Sequence, residues 1–94
     1  MYHILIKHKV EDFGKWKDIF DAHAAMRSGA GSKGGYVFQN SEYHNEVFVL
    51  LEWDDIENAR RFIESDDLKT IMEKAGVLEK PEIYFLETAE QPVT

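Results

Sequence analysis

The amino-acid sequence predicts an α+β fold of the ferredoxin-like type: a four-stranded antiparallel sheet with its helices on one face. Three observations lead there. Apolar periodicity alternates between strand and helix in the order β-α-β-β-α-β, which resembles two copies of one strand-helix-strand unit. Short connections and right-handed crossovers close that order into a single antiparallel sheet. The third strand, Val47-Phe48-Val49-Leu50-Leu51, is apolar on both faces, although the helices can cover only one. The face carrying Phe48 and Leu50, with Leu5 beside it, needs another cover. A second copy of the same sheet is the most economical, ahead of a different protein or the C-terminal tail, so a homodimer through the sheet face is predicted.

Taken in order, Tyr2 to Lys9 is a short apolar and alternating run that reads as the first strand. Asp12 to about Ser28 has helical spacing, with Phe13, Trp16, Ile19, Phe20, His23 and Arg27 near one face and Asp12 placed to cap the start. The glycine-rich stretch Gly29 to Gly35 ends that helix. These glycines neither follow a strand nor open a helix, so they do not read as a phosphate-binding loop. Tyr36 to Gln39 is the second strand, Ser41 to Asn45 a turn, and Glu46 to Trp53 the strongest strand of the chain, the latter two strands forming a hairpin. Asp54 or Asp55 caps the next helix. Glu57, three residues after Asp54, gives a capping-box pattern, and Ile56, Ala59, Phe62 and Ile63 supply the buried face. Ser65-Asp66-Asp67 opens a further helical piece through Leu68, Ile71, Met72 and Ala75 to Gly76, and Pro81 precedes the last strand, Glu82 to Glu87. Residues 1–88 are predicted to form one domain and residues 89–94 a flexible tail.

A chain of 94 residues is a one-domain chain, and at that size folding buries only about 60 to 70% of the surface the unfolded chain exposes. With 44% hydrophobic and 13% aromatic residues there is material for a core. The chain has no Cys; this rules out disulfides and thiolate chemistry and fits a reducing cytoplasm, the predicted location. Its first residues read as a strand and lack the basic start and cleavage site of a signal peptide. No apolar run approaches the roughly 20 residues of a membrane-spanning helix, so no membrane role is predicted. A formal charge of −7, from 18 acidic and 11 basic residues, opposes phosphate neutralisation, and no nucleic-acid role is predicted either.

Several stretches together resemble the dimeric α/β-barrel superfamily and, within it, the small proteins related to antibiotic biosynthesis monooxygenases. They are Ile4 to Val10, Asp12-Phe13-Gly14-Lys15-Trp16, Arg27-Ser28-Gly29-Ala30-Gly31, and Asn45-Glu46-Val47 leading to Leu51-Glu52-Trp53-Asp54. Ala59-Arg60-Arg61-Phe62, Lys74-Ala75-Gly76-Val77 and Pro81-Glu82-Ile83 follow. The resemblance covers nearly the whole chain. It implies two sheets closing into a barrel between subunits, with ligands in many members lying between a sheet and its own helices. Relatives of this kind include cofactor-independent oxygenases, haem-binding enzymes and isomerases, so the resemblance implies no single chemistry.

The candidate site residues are polar or aromatic groups on faces that should be buried. His23 and Arg27, four apart on the first helix, share a side with Trp16 and Phe20, and a cation there needs an anion, a carbonyl or a ligand. On the first strand His8 shares a face with Ile4 and Ile6, whereas His3 lies on the other with Leu5; the two cannot ligate one metal. His23 and His8 are the candidate catalytic bases. Trp16, Arg27, Tyr36, Trp53 and Phe62 are the candidate ligand-binding residues, the aromatics forming the wall of an apolar cleft. His44 falls in the hairpin turn, at the surface. The scattered histidines predict no metal site, and the second helical region, Asp55 to Ala75, offers no His to a haem, so no cofactor is predicted. A Ser in a strand-turn-helix elbow is missing, which disfavours a hydrolase. The pairs Asp54-Asp55 and Asp66-Asp67 sit at helix starts, where capping explains them.

Such a pocket suits a flat or aromatic molecule bearing a carbonyl or carboxylate. Two functions remain open from the sequence. In the first, a cofactor-free oxygenase or isomerase has an enclosed cavity holding His23 and Arg27 without internal partners. In the second, a non-catalytic dimeric binding or scaffold protein has a filled interior and pairs Arg27 with a sheet carboxylate such as Glu52 or Glu46.

Overall fold

Alternation along β1 (Tyr2–Lys9) sets the layers of the molecule: in the computed structural model, which describes residues 1–94, Ile4, Ile6 and His8 are buried while His3, Leu5 and Lys7 are not. α1 (Phe13–Ala22) and α2 (Ala24–Ala30) follow, then β2 (Ser32–Gln39), β3 (Glu46–Trp53), α3 (Ile56–Glu64), α4 (Asp66–Lys74) and β4 (Glu82–Glu87). The strands form one sheet in the order β2-β3-β1-β4 with every pairing antiparallel. Val47, Val49, Leu51 and Trp53 of β3 face the same way as Ile4 and Ile6 of β1. They meet Trp16, Ala59, Phe62, Leu68 and Ala75 in a single core. All helices therefore lie on one side of the sheet, and the predicted fold class is the observed one.

The predicted caps form where the sequence places them. Asp12 Oδ1 accepts from the Gly14 N–H at 3.2 Å, and Ser65 Oγ accepts from the Leu68 N–H at 3.2 Å. Of the two aspartates before α3, Asp55 is the cap, accepting from the Glu57 N–H at 2.8 Å; Glu57 is thus two residues after the cap, and the capping-box spacing from Asp54 does not apply.

Two elements differ from the sequence reading. The helix expected over residues 12–28 is broken at His23, whose backbone (φ −108°, ψ 21°) leaves the helical region. Side chains take over the carbonyls around the break: His23 Nδ1 lies 2.8 Å from the Ile19 oxygen, and the Arg27 guanidinium donates to the Phe20 oxygen at 2.6 Å. Periodicity survives such a break, because α2 continues the same apolar side, so spacing alone did not reveal it. The second strand begins at Ser32 rather than Tyr36. Its pairing with β3 is irregular between Ser32 and Gly35, and this bulge absorbs Gly34 at φ +100°. At Gly35 a Cβ would stand 1.7 Å from the Leu50 carbonyl oxygen, so only glycine fits the close approach to β3.

The second sheet face has no cover within the chain. The register aligns Leu5 with Leu50 and Tyr84, Lys7 with Phe48, and Tyr36 and Phe38 with Leu50 and Phe48. Tyr36, Phe38, Tyr84 and Leu86 on this face are exposed. The accessible surface, 6299 Å², exceeds the roughly 5,600 Å² expected of a compact chain of this mass. Both the bare face and the residues after Glu87 contribute to it. No helix is long and apolar enough to cross a membrane.

Candidate functional site

A partly open cavity of about 50 Å³ lies between the sheet and the helices, and twelve of its fifteen lining residues are hydrophobic. The other three are His8 from β1, His23 from the α1–α2 break and Arg27 from α2. The predicted polar residues thus converge on one pocket. An aromatic ladder links them along one wall. The His8 ring stands 5.5 Å from that of Trp16, the Trp16 ring stacks on Phe20 at 4.9 Å, and the Arg27 guanidinium lies 3.6 Å over Phe20. The ladder exists because Trp16, Phe20, His23 and Arg27 recur at helical spacing across the break.

His8 is 6% exposed, and neither ring nitrogen has a hydrogen-bond partner. Burial pushes its pKa down to about 4, because the low-dielectric surroundings disfavour the cation. At neutral pH the ring is therefore uncharged, with one N–H and one lone pair unmet. A buried group left so costs about 1–3 kcal/mol, unless a ligand or water supplies the partner. His23 is fixed differently. The Ile19 carbonyl can only accept, so Nδ1 donates to it and Nε2 is the ring nitrogen left without that contact. The Arg27 guanidinium, half-buried, has its pKa lowered by desolvation, opposed by the charge of Asp21.

Trp16 and Phe62 line the cavity, whereas the other two candidate aromatics do not. Trp53 is fully buried and packs on Phe62 with ring centroids 5.4 Å apart, as a core residue beside the pocket. Tyr36 pairs with Leu50, so its ring belongs to the uncovered face, stacked on Phe38 at 5.4 Å. It lines only a neighbouring recess, shared with Phe20, Arg27 and Gly35. The odd-even alternation of β2 decides this, and the bulge hid the strand's true start. Met26 and Met72 also line the cavity. The sequence marks Met72 only as a helical apolar position and gives no signal that separates pocket wall from core. His3 lies on the far face, 3.9 Å from Glu52, and His44 is exposed in the turn. No three His, Asp or Glu side chains converge as a metal ion would need.

A helix layer on one side of an antiparallel sheet, with an apolar pocket between the layers, defines a ferredoxin-like α+β protein. Its architecture is that of antibiotic biosynthesis monooxygenase structures. A Bordetella bronchiseptica protein classed with those monooxygenases superimposes with a TM-score of 0.79 at 13% identity, over 95% of this chain and 97% of that one. SnoaB, a cofactor-independent oxygenase from Streptomyces nogalater, gives 0.77 at 16% identity over 98% and 95%. A conserved protein from Methanosarcina mazei gives 0.72 at 20% identity over 90% and 89%. At these identities the likeness establishes a shared fold, and the resemblance seen in the sequence holds at that level. No protein-family model matches the sequence, and no curated protein is similar to it.

Proposed function

We propose that this chain is a homodimeric, cytoplasmic small-molecule-binding protein of the dimeric α/β-barrel kind. Its pocket would take a small apolar or aromatic compound bearing a hydroxyl or carbonyl, and its reaction would be oxygenation without a cofactor. The observation that carries this is His8, a buried neutral imidazole with both nitrogens unmet on the wall of an apolar cavity. Such a ring accepts a hydroxyl proton or donates to a carbonyl, and it is already in the form a base must have. Its low basicity is offset when a substrate anion forms beside it, since an opposite charge in a dry site favours the imidazolium. In the balanced reaction R₂CH₂ + O₂ → R₂C=O + H₂O, His8 takes a proton from the activated carbon. The carbanion passes one electron to oxygen, and the two radicals join as a carbon-bound peroxide. Protonation of the peroxide, loss of the second C–H proton and O–O cleavage then release the ketone and water. His23 Nε2 is the second base available to that last step.

The test has two arms. Phenol, added to protein with ¹⁵N-labelled histidine, should shift the His8 ring nitrogens and leave those of exposed His44 in place; no shift at His8 overturns the binding reading. With 2-indanone, a flat ring carbonyl with an acidic CH₂, oxygen uptake matching dione formation should appear and vanish in His8→Phe. Binding without uptake removes the oxygenase and leaves the non-catalytic alternative. The size of the cavity favours that alternative: about 50 Å³ is well below the roughly 150 Å³ that admits a benzene ring, so a substrate has to displace Met26, Met72 or Arg27. Arg27 is bound to the Phe20 carbonyl near the end of α1, a carbonyl being one of the partners the sequence allows it, rather than free or paired with a sheet carboxylate.

A further inference from the structure

We infer that Arg27 makes the pocket selective for anions: the ligand carries a carboxylate seated on the Arg27 guanidinium, where the cavity meets the recess beside β2. This deepens the pocket reading above and rests on it. In a chain with 18 acidic residues, Lys7, Lys15, Lys17, Lys33 and Arg60 each have a carboxylate within 4 Å. Arg27 has none, and every other lysine or arginine without one is exposed. Of the three half-buried cations, Lys7, Lys17 and Arg27, only Arg27 therefore lacks a counter-ion. Asp21, the carboxylate that acts on it from a distance, is already bound by Lys17 Nζ at 2.6 and 2.7 Å. The Phe20 carbonyl uses one Arg27 nitrogen, whereas a guanidinium offers five N–H donors in a fork that matches a carboxylate.

Position adds to the argument. Phe20, Arg27 and Leu51 line both the inner cavity and the recess of about 120 Å³ along Gly34 and Gly35. Folded on Phe20, the Arg27 side chain borders both. Moved aside, it joins them into a space on the scale of the roughly 150 Å³ that takes up a benzene ring. An aromatic body would then lie inside, toward Trp16 and His8, with its acid group at the mouth. Burial also weakens the protonated form of Arg27, a penalty that a bound anion would relieve.

The full chain is titrated at pH 7 and fixed ionic strength with phenylacetate and with phenylacetamide, which have the same shape and differ in charge, and binding is read by calorimetry. The acid is expected to bind about tenfold to a hundredfold more tightly, the span of one charge-assisted contact. Arg27→Gln should abolish that preference with little change for the amide, and Arg27→Lys should keep part of it. Equal affinity of the wild-type chain for acid and amide, or an acid preference that survives Arg27→Gln, overturns the anion assignment and leaves the pocket reading standing. Failure of both compounds to bind at millimolar concentration overturns both. If Arg27→Gln does not fold, the comparison on the wild-type chain decides alone.

Discussion

Replacing His8 by leucine should abolish most of the loss of stability on going from pH 7 to pH 4. A histidine titrates near 6.5 in the unfolded chain, and His8 in the folded protein titrates at about 4. Between these values the unfolded chain holds a proton that the native state refuses, so stability falls as pH falls through this window and levels off below it. At about 1.4 kcal/mol per pH unit, the window is worth roughly 3 kcal/mol, a large share of what a small domain has. The leucine variant lacks this proton, and filling the site with an apolar side chain also removes two unmet nitrogens from the cavity wall. It should therefore be more stable than the parent at pH 7 by about 1 kcal/mol, and the gap should widen to several kcal/mol at pH 4. Urea unfolding followed by circular dichroism at one protein concentration measures both values. Parallel loss of stability in parent and variant, or a His8 ring that titrates above pH 6 by NMR, would refute the argument.

Other residues give independent checks. Gly35→Ala places a methyl group against the Leu50 carbonyl and should cost about 3 kcal/mol, the upper part of the range for overpacking, whereas Gly29→Ala, with nothing within 4 Å of the new carbon, should be close to neutral; thermal unfolding separates the two. Leu50→Glu puts a charge in the middle of the uncovered face and should convert a dimer to a monomer in sedimentation at micromolar concentration, while a chain that is monomeric before the change sinks the proposed sheet-to-sheet pairing. Ser65→Ala removes the acceptor for the Leu68 N–H and should cost about 1 kcal/mol, read as a lower urea midpoint with an unchanged slope.

The legible parts of this protein are those fixed by local chemistry or strict alternation. Asp12 and Ser65 cap helices because a short oxygen beside a helix start has few other uses, and Ile4, Ile6 and His8 share a face because a strand has a period of two. Phe48 and Leu50 opposite Val49 and Leu51 already state that both sides of the sheet are apolar, before any helix is placed. Where the reading went astray, two groups competed for the same backbone. His23 lies in a helical pattern but takes the Ile19 carbonyl with its ring, and Gly34 and Gly35 look like a linker although they carry a strand across a bulge. The bulge also hides the start of β2, and only the pairing of Tyr36 with Leu50 places its ring on the uncovered face, away from the pocket aromatics. His8 and Arg27 stand out in the sequence for a reason that is physical rather than statistical: each is a polar group at a position whose spacing demands burial, and such a position needs a partner. The chain supplies none for His8 and only a carbonyl for Arg27, so the unmet hydrogen-bonding capacity of the pocket runs from an imidazole at its inner wall to a guanidinium at its mouth. A ligand that satisfies both ends must be polar at each of them and apolar between.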